Sequence, residues 1–167
     1  MLVALSLYAK GITLPEHFSA EFIQKITNTK GKAIFYRGKV RFSQPALMKW
    51  EYHKPTQKEV CTDAEALTVV DHDLEQVSIY VISKKFNLSK IVKQAKKYRD
   101  NVYVTRYQGK QYTIQVDSSG QLQSIAYYDD LDNKVQIVFK EIHYGNKPLK
   151  RANMLCPAPK FYDEIRG

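Results

Sequence analysis

The sequence predicts a mainly β fold, in which about eleven antiparallel strands form one large curved sheet or barrel and one helix lies among them. Three features of the 167-residue chain support this fold class. Apolar and polar residues alternate with a period of two over most of its length, which is typical of half-buried strands. Short turns with Gly, Pro, Asn and Asp separate the alternating stretches, as expected of an antiparallel meander. One segment instead has the 3.6-residue period of an amphipathic helix.

The alternation locates the strands in chain order. We predict them near residues 18–27, 32–43, 47–53, 57–62, 66–71, 75–82, 101–107, 110–117, 121–129, 134–143 and 150–156. Pro45 and Pro55 bound the third strand, because proline has no N–H group to donate to a sheet. Gly109 and Gly120 mark two later turns. Strands at such regular spacing indicate one large curved sheet or barrel.

The segment Asn87–Tyr98 is the predicted helix. Leu88, Ile91 and Val92 recur at helical spacing, and the asparagine at its start is a favourable N-cap residue. An amphipathic helix inserted among strands must cover its apolar side, and the open or concave face of the sheet is the natural partner. We expect it to act there either as a lid or as a plug that completes the core.

The start of the chain suggests that the protein is exported. Residues 1–9, MLVALSLYA, form an apolar run without charge, and Lys10 follows. Such a run is typical of the last part of a signal peptide, although a short strand or an apolar N-terminal helix fits it too. We therefore predict export. The sequence has no internal repeat, low-complexity stretch or linker, so we predict that residues 10–167 form a single domain.

Charge and cysteine content leave two questions open. The net charge is +9, and the cations are spread along the chain. They either form a solvated face or attract nucleic acid or anionic lipid headgroups.

Cys61 and Cys156 are far apart in sequence. In an oxidising compartment they can form a disulfide, but two separate buried thiols are an equal alternative.

Catalytic and metal-binding patterns are weak. The chain has no nucleophile elbow, zinc-protease motif, phosphate loop or dinucleotide fingerprint. Asp71, His72 and Asp73 are consecutive in sequence, and we interpret them as solvent-facing turn residues. We therefore predict a protein that is not an enzyme and that has no metal site and no cofactor.

The segment Val102–Tyr112 raises nucleic-acid binding as an alternative. Tyrosines and cations are interleaved there on a predicted hairpin, a pattern that can stack bases and hold phosphates. Neither face of the hairpin is purely aromatic and cationic, however. We therefore predict that nucleic acid is not a partner.

The third kind of functional site that the sequence allows is an apolar cavity for a ligand. A large sheet that curls without closing and is covered by a helix encloses a space lined by alternate residues of many strands. The candidate lining residues, each of which can also be core, are Phe18, Phe22, Val40, Phe42, Met48, Trp50 and Tyr52 on the sheet and Leu88, Ile91 and Val92 on the helix.

An ordered set of residues resembles the periplasmic outer-membrane lipoprotein carrier family, LolA. The set consists of Phe18-x-Ala20-x-Phe22-x-Gln24, Gly38, Pro45-x-Leu47, Trp50, Pro55, Asp63 and Leu74-Glu75-Gln76. A looser match continues through Tyr112–Val116, Gly120 and Pro157.

The resemblance implies an unclosed half-barrel of eleven antiparallel strands with helices over its apolar concave face. It also implies a function as a monomeric carrier of acylated lipoproteins from an inner-membrane ABC transporter to an outer-membrane receptor. A sensor module that binds lipid or a partner on the same half-barrel is the alternative.

Two departures from the family pattern concern the lid. Family members often have Arg before the proline, where it holds the lid closed, whereas this chain has Gln44 before Pro45. The resemblance makes Gln44 the lid contact, but a neutral amide is expected to favour the closed state less than Arg would. Only residues 10–17, which include Pro15, are available for the family's N-terminal helix. We therefore expect a smaller lid formed mainly by Asn87–Tyr98.

Overall fold

The computed structural model describes residues 11–63, 65–81 and 87–167, and the predicted signal-peptide remnant at 1–9 lies outside them. The helix α1 spans Leu88–Gln94, and a short 3-10 helix spans Arg151–Met154. The strands are β1 His17–Thr27, β2 Ala33–Ser43, β3 Leu47–Lys54, β4 Lys58–Thr62, β5 Ala66–Asp71, β6 Gln76–Val81, β7 Lys96–Arg99, β8 Val102–Tyr107, β9 Lys110–Val116, β10 Leu122–Tyr128, β11 Lys134–Gly145 and β12 Asp163–Arg166.

All twelve strands belong to one unclosed sheet. Their order is β12-β6-β5-β4-β3-β2-β1-β11-β10-β9-β8-β7, so β12 and β7 lie at the two edges. Neighbouring strands are antiparallel except β12, which runs parallel to β6. The first strand, β1, lies between β2 and β11 and thereby joins the two halves of the sheet. The predicted fold class, an open antiparallel half-barrel with one helix, is confirmed.

Two predicted elements need correction, and two strands were not predicted. The predicted strand at 150–156 is wrong, because its centre is the 3-10 helix. The predicted helix ends at Gln94 rather than Tyr98, since Ala95 is already extended and β7 follows. The edge strands β7 and β12 were not predicted. Both are short and fully exposed, so neither has the apolar alternation by which a half-buried strand is recognised.

The inner, concave face of the sheet carries the apolar residues of the alternating strands. Phe18 of β1 lies beside Phe42 of β2, which in turn lies beside Met48 of β3. All three side chains are buried. Since successive side chains of a strand point to opposite faces, this register puts every second residue of β1, β2 and β3 on the same face.

Helix α1 covers part of this inner face. The side chain of Asn87 caps it by accepting a hydrogen bond from the backbone N–H of Lys90 at 3.1 Å. Leu88 and Ile91 are fully buried in the same apolar core as the strand residues. In the described parts of the chain, no helix is both long and apolar enough to cross a membrane.

The outer face of β3 to β6 is covered by the C-terminal segment, residues 147–162, which precedes the edge strand β12. Cys61 of β4 and Cys156 form a disulfide, with their Cα atoms 5.8 Å apart. The ammonium group of Lys49 donates a hydrogen bond of 2.7 Å to the carbonyl oxygen of Leu155. Val70 faces this side of the sheet and is fully buried. The sheet therefore has a second, smaller packed surface behind the main core.

Candidate functional site

The ten candidate cavity residues lie together between the inner face and α1. Eight of them belong to one buried apolar cluster, and the other two, Tyr52 and Val92, are partly buried against it. The fully buried side chains include Phe18, Phe22 and Ile91. The candidate residues of the strands and of α1 therefore form one packed apolar core in this conformation.

Aromatic side chains pack against one another in this cluster. The rings of Phe22 and Trp50 meet edge to face with their centroids 5.0 Å apart, and those of Phe22 and Tyr52 do the same at 5.0 Å. Phe18 stacks on Phe42 at 5.4 Å. Such contacts are individually weak and do not depend on a polar partner.

The cluster also has a second wall that the candidate set does not include. This wall comes from β9, β10 and β11, and its buried residues are Tyr112, Ile114, Val116, Leu122, Ile125, Val135, Ile137 and Phe139. The period-two alternation of these strands was visible in the sequence. It did not show that the two halves of the sheet face the same space, because that depends on the pairing of β1 with β11.

The helix is held by hydrogen bonds at the turn between β2 and β3. The hydroxyl of Ser89 lies 2.9 Å from Gln44 Oε1 and 2.8 Å from the carbonyl oxygen of Pro45, so it can donate to either. The amide nitrogen of Gln44 donates to the carbonyl oxygen of Pro15 at 3.4 Å. The Gln44 side chain thus joins the turn to both the helix and the segment before β1. Every partner in this junction is neutral.

The opposite end of the inner face carries two partly buried tyrosines, Tyr36 and Tyr52. The Tyr52 hydroxyl donates a 3.0 Å hydrogen bond to Gln24 Oε1, and burial raises the pKa of Tyr52 to about 12. The Lys58 ammonium lies 4.6 Å from the centroid of the Tyr52 ring and 5.1 Å from that of Tyr36. Burial also lowers the pKa of Lys58. At this end, the Tyr52 hydroxyl and the Lys58 ammonium therefore lie beside aromatic rings.

A polar cluster lies on the outer face beneath the C-terminal segment. Glu59 Oε1 is 3.1 Å from Lys49 Nζ, and Glu59 Oε2 is 2.8 Å from His72 Nε2. His72 Nδ1 lies 2.9 Å from the Tyr162 hydroxyl. His72 lies in the turn 72–75 as predicted, but its side chain is half-buried against these partners, so the prediction that it faces solvent is wrong. Sequence spacing gave no signal for this contact, because Tyr162 comes from the far end of the chain.

Glu59 should make folding sensitive to acid. Burial tends to raise its pKa, but the hydrogen bonds and charges of His72 and Lys49 outweigh burial and lower it. A carboxylate with a lowered folded pKa stabilises the protein above its unfolded pKa, near 4.3, and that contribution is lost as pH falls through the folded value. We expect Glu59→Gln to cost about 2 kcal/mol at pH 7, because it leaves Lys49 without its carboxylate.

Urea unfolding at pH 7, 4 and 3 checks this expectation. The Glu59→Gln protein should lose less stability than the parent between pH 7 and pH 3. The exposed Glu21 supplies the matched control, and Glu21→Gln should leave the whole profile unchanged. Equal acid profiles for Glu59→Gln and the parent would contradict a stabilising role of the Glu59 charge.

The hairpin of β8 and β9 does not offer a stacking platform. Tyr103, Tyr107 and Tyr112 are all buried in the apolar core. Their rings are therefore not displayed where bases of a nucleic acid could stack on them.

Comparison with known proteins agrees with this architecture. Residues 15–108 match the family described as outer membrane lipoprotein carrier protein LolA. The chain belongs to the LolA family. An outer-membrane lipoprotein carrier protein of Campylobacter jejuni is 31% identical over 149 residues, which cover 89% of this chain and 86% of that protein. One of Wolinella succinogenes is 31% identical over 123 residues, which cover 74% and 72%.

Solved structures of low sequence identity share the fold. An uncharacterized conserved protein from Thermus thermophilus superposes with a TM-score of 0.56 at 14% identity, covering 92% of each chain. A LolA superfamily protein from Nitrosomonas europaea has a TM-score of 0.50 at 9% identity, covering 87% of this chain and 93% of that one. The LolA family resemblance predicted from the Phe18–Gln76 motifs is confirmed.

Proposed function

We propose that this protein is a periplasmic carrier that shields the acyl chains of lipoproteins between α1 and the inner face of the half-barrel. The observation that carries the proposal is the buried apolar cluster between the inner face and α1, a helix that neutral hydrogen bonds join to the β2–β3 turn. Family membership supports the same function. In this proposal Phe18, Phe22, Val40, Phe42, Met48, Trp50, Tyr52, Leu88, Ile91 and Val92 contact the acyl chains.

The energetics of acyl chains explain why such a carrier is needed. Each buried CH₂ group is worth about 0.8 kcal/mol, so one long chain costs on the order of 10 kcal/mol to expose to water. Displacement of α1 would expose the cluster, and acyl chains would then take the place of the helix contacts. An apolar site has no polar group with which to select among fatty chains, so it suits many lipoproteins. The flexible side chain of Met48 would adapt its shape to different acyl chains.

The partners follow from the same proposal. Cargo would be received from an inner-membrane ABC transporter, which supplies the work of extraction, and released to an outer-membrane receptor that binds the acyl chains slightly better. The carrier would act as a monomer, and no step of this cycle requires catalysis, a metal or a cofactor.

A release assay on spheroplasts tests the proposed function. Spheroplasts that make a triacylated lipoprotein are incubated with the purified chain, and the medium is examined for a soluble complex. The control is the same lipoprotein without its acylated cysteine. Release that requires acylation supports a carrier. Binding of a hydrophobic dye without any release, when the cognate transporter is also present, would contradict it and favour a sensor module.

The junction at Ser89 offers a test of the lid. Ser89→Ala removes the hydroxyl that bonds the β2–β3 turn, at a cost of about 1 kcal/mol. We expect more dye fluorescence, because a helix held less firmly exposes the apolar cluster more often. Lys90→Ala, an exposed change on the same helix, should leave dye binding unchanged. Equal dye binding by all three proteins would show that these bonds do not hold the lid.

A further inference from the structure

The β1–β2 hairpin is strongly positively charged. Residues 25–39 contain five cations and no acidic residue. Apart from Lys25, which is half-buried, these cations are exposed, and in the described part of the chain none of the five forms an ion pair. They are Lys25, Lys30, Lys32, Arg37 and Lys39.

The same hairpin exposes two large apolar side chains close to its tip. Ile34 is 52% exposed and Phe35 is 55% exposed. Because they are consecutive in β2, they point to opposite faces of the hairpin. The Lys25 ammonium lies 5.7 Å from the centroid of the Phe35 ring, so a cation lies beside an exposed aromatic ring.

The tip itself is well ordered by hydrogen bonds. Asn28 Oδ1 accepts the backbone N–H groups of Lys30 at 3.0 Å and Lys32 at 2.9 Å. This turn lies at the opposite end of β2 from the junction of Gln44 with α1. The hairpin therefore projects its cations and apolar side chains from the end of the sheet that carries Tyr36 and Tyr52.

We propose that the β1–β2 hairpin docks the protein on an anionic lipid surface. Lysines with exposed aromatic and aliphatic side chains suit the boundary between headgroups and acyl chains, where cations meet phosphates and apolar groups insert. Near the tip, β2 has apolar residues on both faces, because Ile34 and Phe35 are consecutive and both exposed. Apolar side chains on two faces fit insertion between lipids better than they fit a flat protein surface, which would cover only one face.

Docking of this kind goes beyond the proposed function and deepens it. An end-on orientation would bring the end of the inner face that carries Tyr36 and Tyr52 next to the bilayer. Acyl chains released from the inner face would then enter the membrane past these tyrosines, at the end away from the junction of α1 with Gln44. The inference about the acyl path rests on the proposed function, whereas the docking itself does not require it.

Vesicle flotation with the purified chain tests the docking. The vesicles contain phosphatidylglycerol and phosphatidylethanolamine, or phosphatidylcholine alone, at low and at high salt. We expect binding to the anionic vesicles that weakens at high salt, and little binding to phosphatidylcholine. The double variant Lys32→Glu with Phe35→Ser should bind the anionic vesicles at least tenfold more weakly.

A matched pair of substitutions elsewhere provides the control. Phe161 is 71% exposed and follows the exposed Lys160 in the C-terminal segment. Lys160→Glu with Phe161→Ser therefore makes the same change of charge and apolar surface away from the hairpin, and it should reduce binding by less than twofold. Equal losses in the two double variants would overturn the proposal, because they would indicate attraction by net charge alone.

A second measurement reports insertion directly. Phe35→Trp places an indole at the tip, and its emission should shift to the blue with anionic vesicles but not with phosphatidylcholine. An absent shift together with absent flotation overturns the docking. If the hairpin variant then loses lipoprotein release while the parent binds no vesicles, the surface contacts a protein partner instead. Neither vesicle measurement uses a lipoprotein, so its failure is distinguishable from failure of the carrier function.

Discussion

Replacing both cysteines by alanine is expected to lower the free energy of unfolding by about 4 kcal/mol. The disulfide joins residues 95 positions apart, and a cross-link that closes a long loop removes much conformational freedom from the unfolded chain. The same bond fastens the C-terminal segment over the outer face, where Val70 is buried. We therefore also expect the Cys61→Ala, Cys156→Ala protein to bind more hydrophobic dye than the parent.

Urea unfolding with and without reductant measures this effect. Reductant should lower the midpoint of the parent to that of the double variant and should leave the variant unchanged. Because the inner-face cluster lies on the other side of the sheet, acylation-dependent release should persist at temperatures where the variant is folded. A loss of less than about 1 kcal/mol would mean that noncovalent contacts hold the C-terminal segment without the disulfide.

Gly38→Ala should destabilise the fold by about 3 kcal/mol, near the upper end for an overpacked site. A Cβ atom at residue 38 would lie 1.8 Å from the carbonyl oxygen of Glu51 and 3.0 Å from the Phe22 ring. The carbonyl belongs to the backbone of β3, so the strand pairing itself must shift to make room. The Phe22 ring would be displaced as well, which disturbs the aromatic centre of the candidate site.

Gly11 provides the matched comparison. A Cβ atom there would meet nothing within 4 Å, so Gly11→Ala should be neutral or slightly stabilising. Thermal and urea unfolding of the two variants give the comparison directly. If Gly38→Ala were as stable as the parent, β2 and β3 would be more adaptable than their packing indicates, and the close approach of Phe22 to Gly38 would not constrain the site.

The first half of the fold was predictable because its signals are local. Alternation placed Phe18, Phe42 and Met48 on one face of three strands before any pairing was known. The N-cap residue Asn87 and the spacing of Leu88 and Ile91 located the start of the helix in the same way. The end of the helix and the two exposed edge strands were missed, since none of them has a pattern set by burial.

Other features depended on residues that are distant in sequence. The Cys61–Cys156 disulfide, the contact of Gln44 with Ser89 and the cluster of Glu59 with His72 and Tyr162 each join separate parts of the chain. Strand order and the path of the C-terminal segment bring these groups within bonding distance. Their residue types were visible, but neither spacing nor composition distinguishes a residue that meets such a partner from one that faces water.

By itself, the sequence determined the fold class, the apolar inner-face residues of β1 to β3 and the family. These depend on side-chain periodicity and ordered motifs, which are local properties of the chain. Tertiary structure alone decided that β9 to β11 supply the second wall and that α1 is bonded to Gln44 through Ser89. It also decided that the cations of the β1–β2 hairpin have no ion-pair partner among the described residues. The physical reason is that burial and pairing arise from the long-range strand order, in which β1 joins β2 to β11.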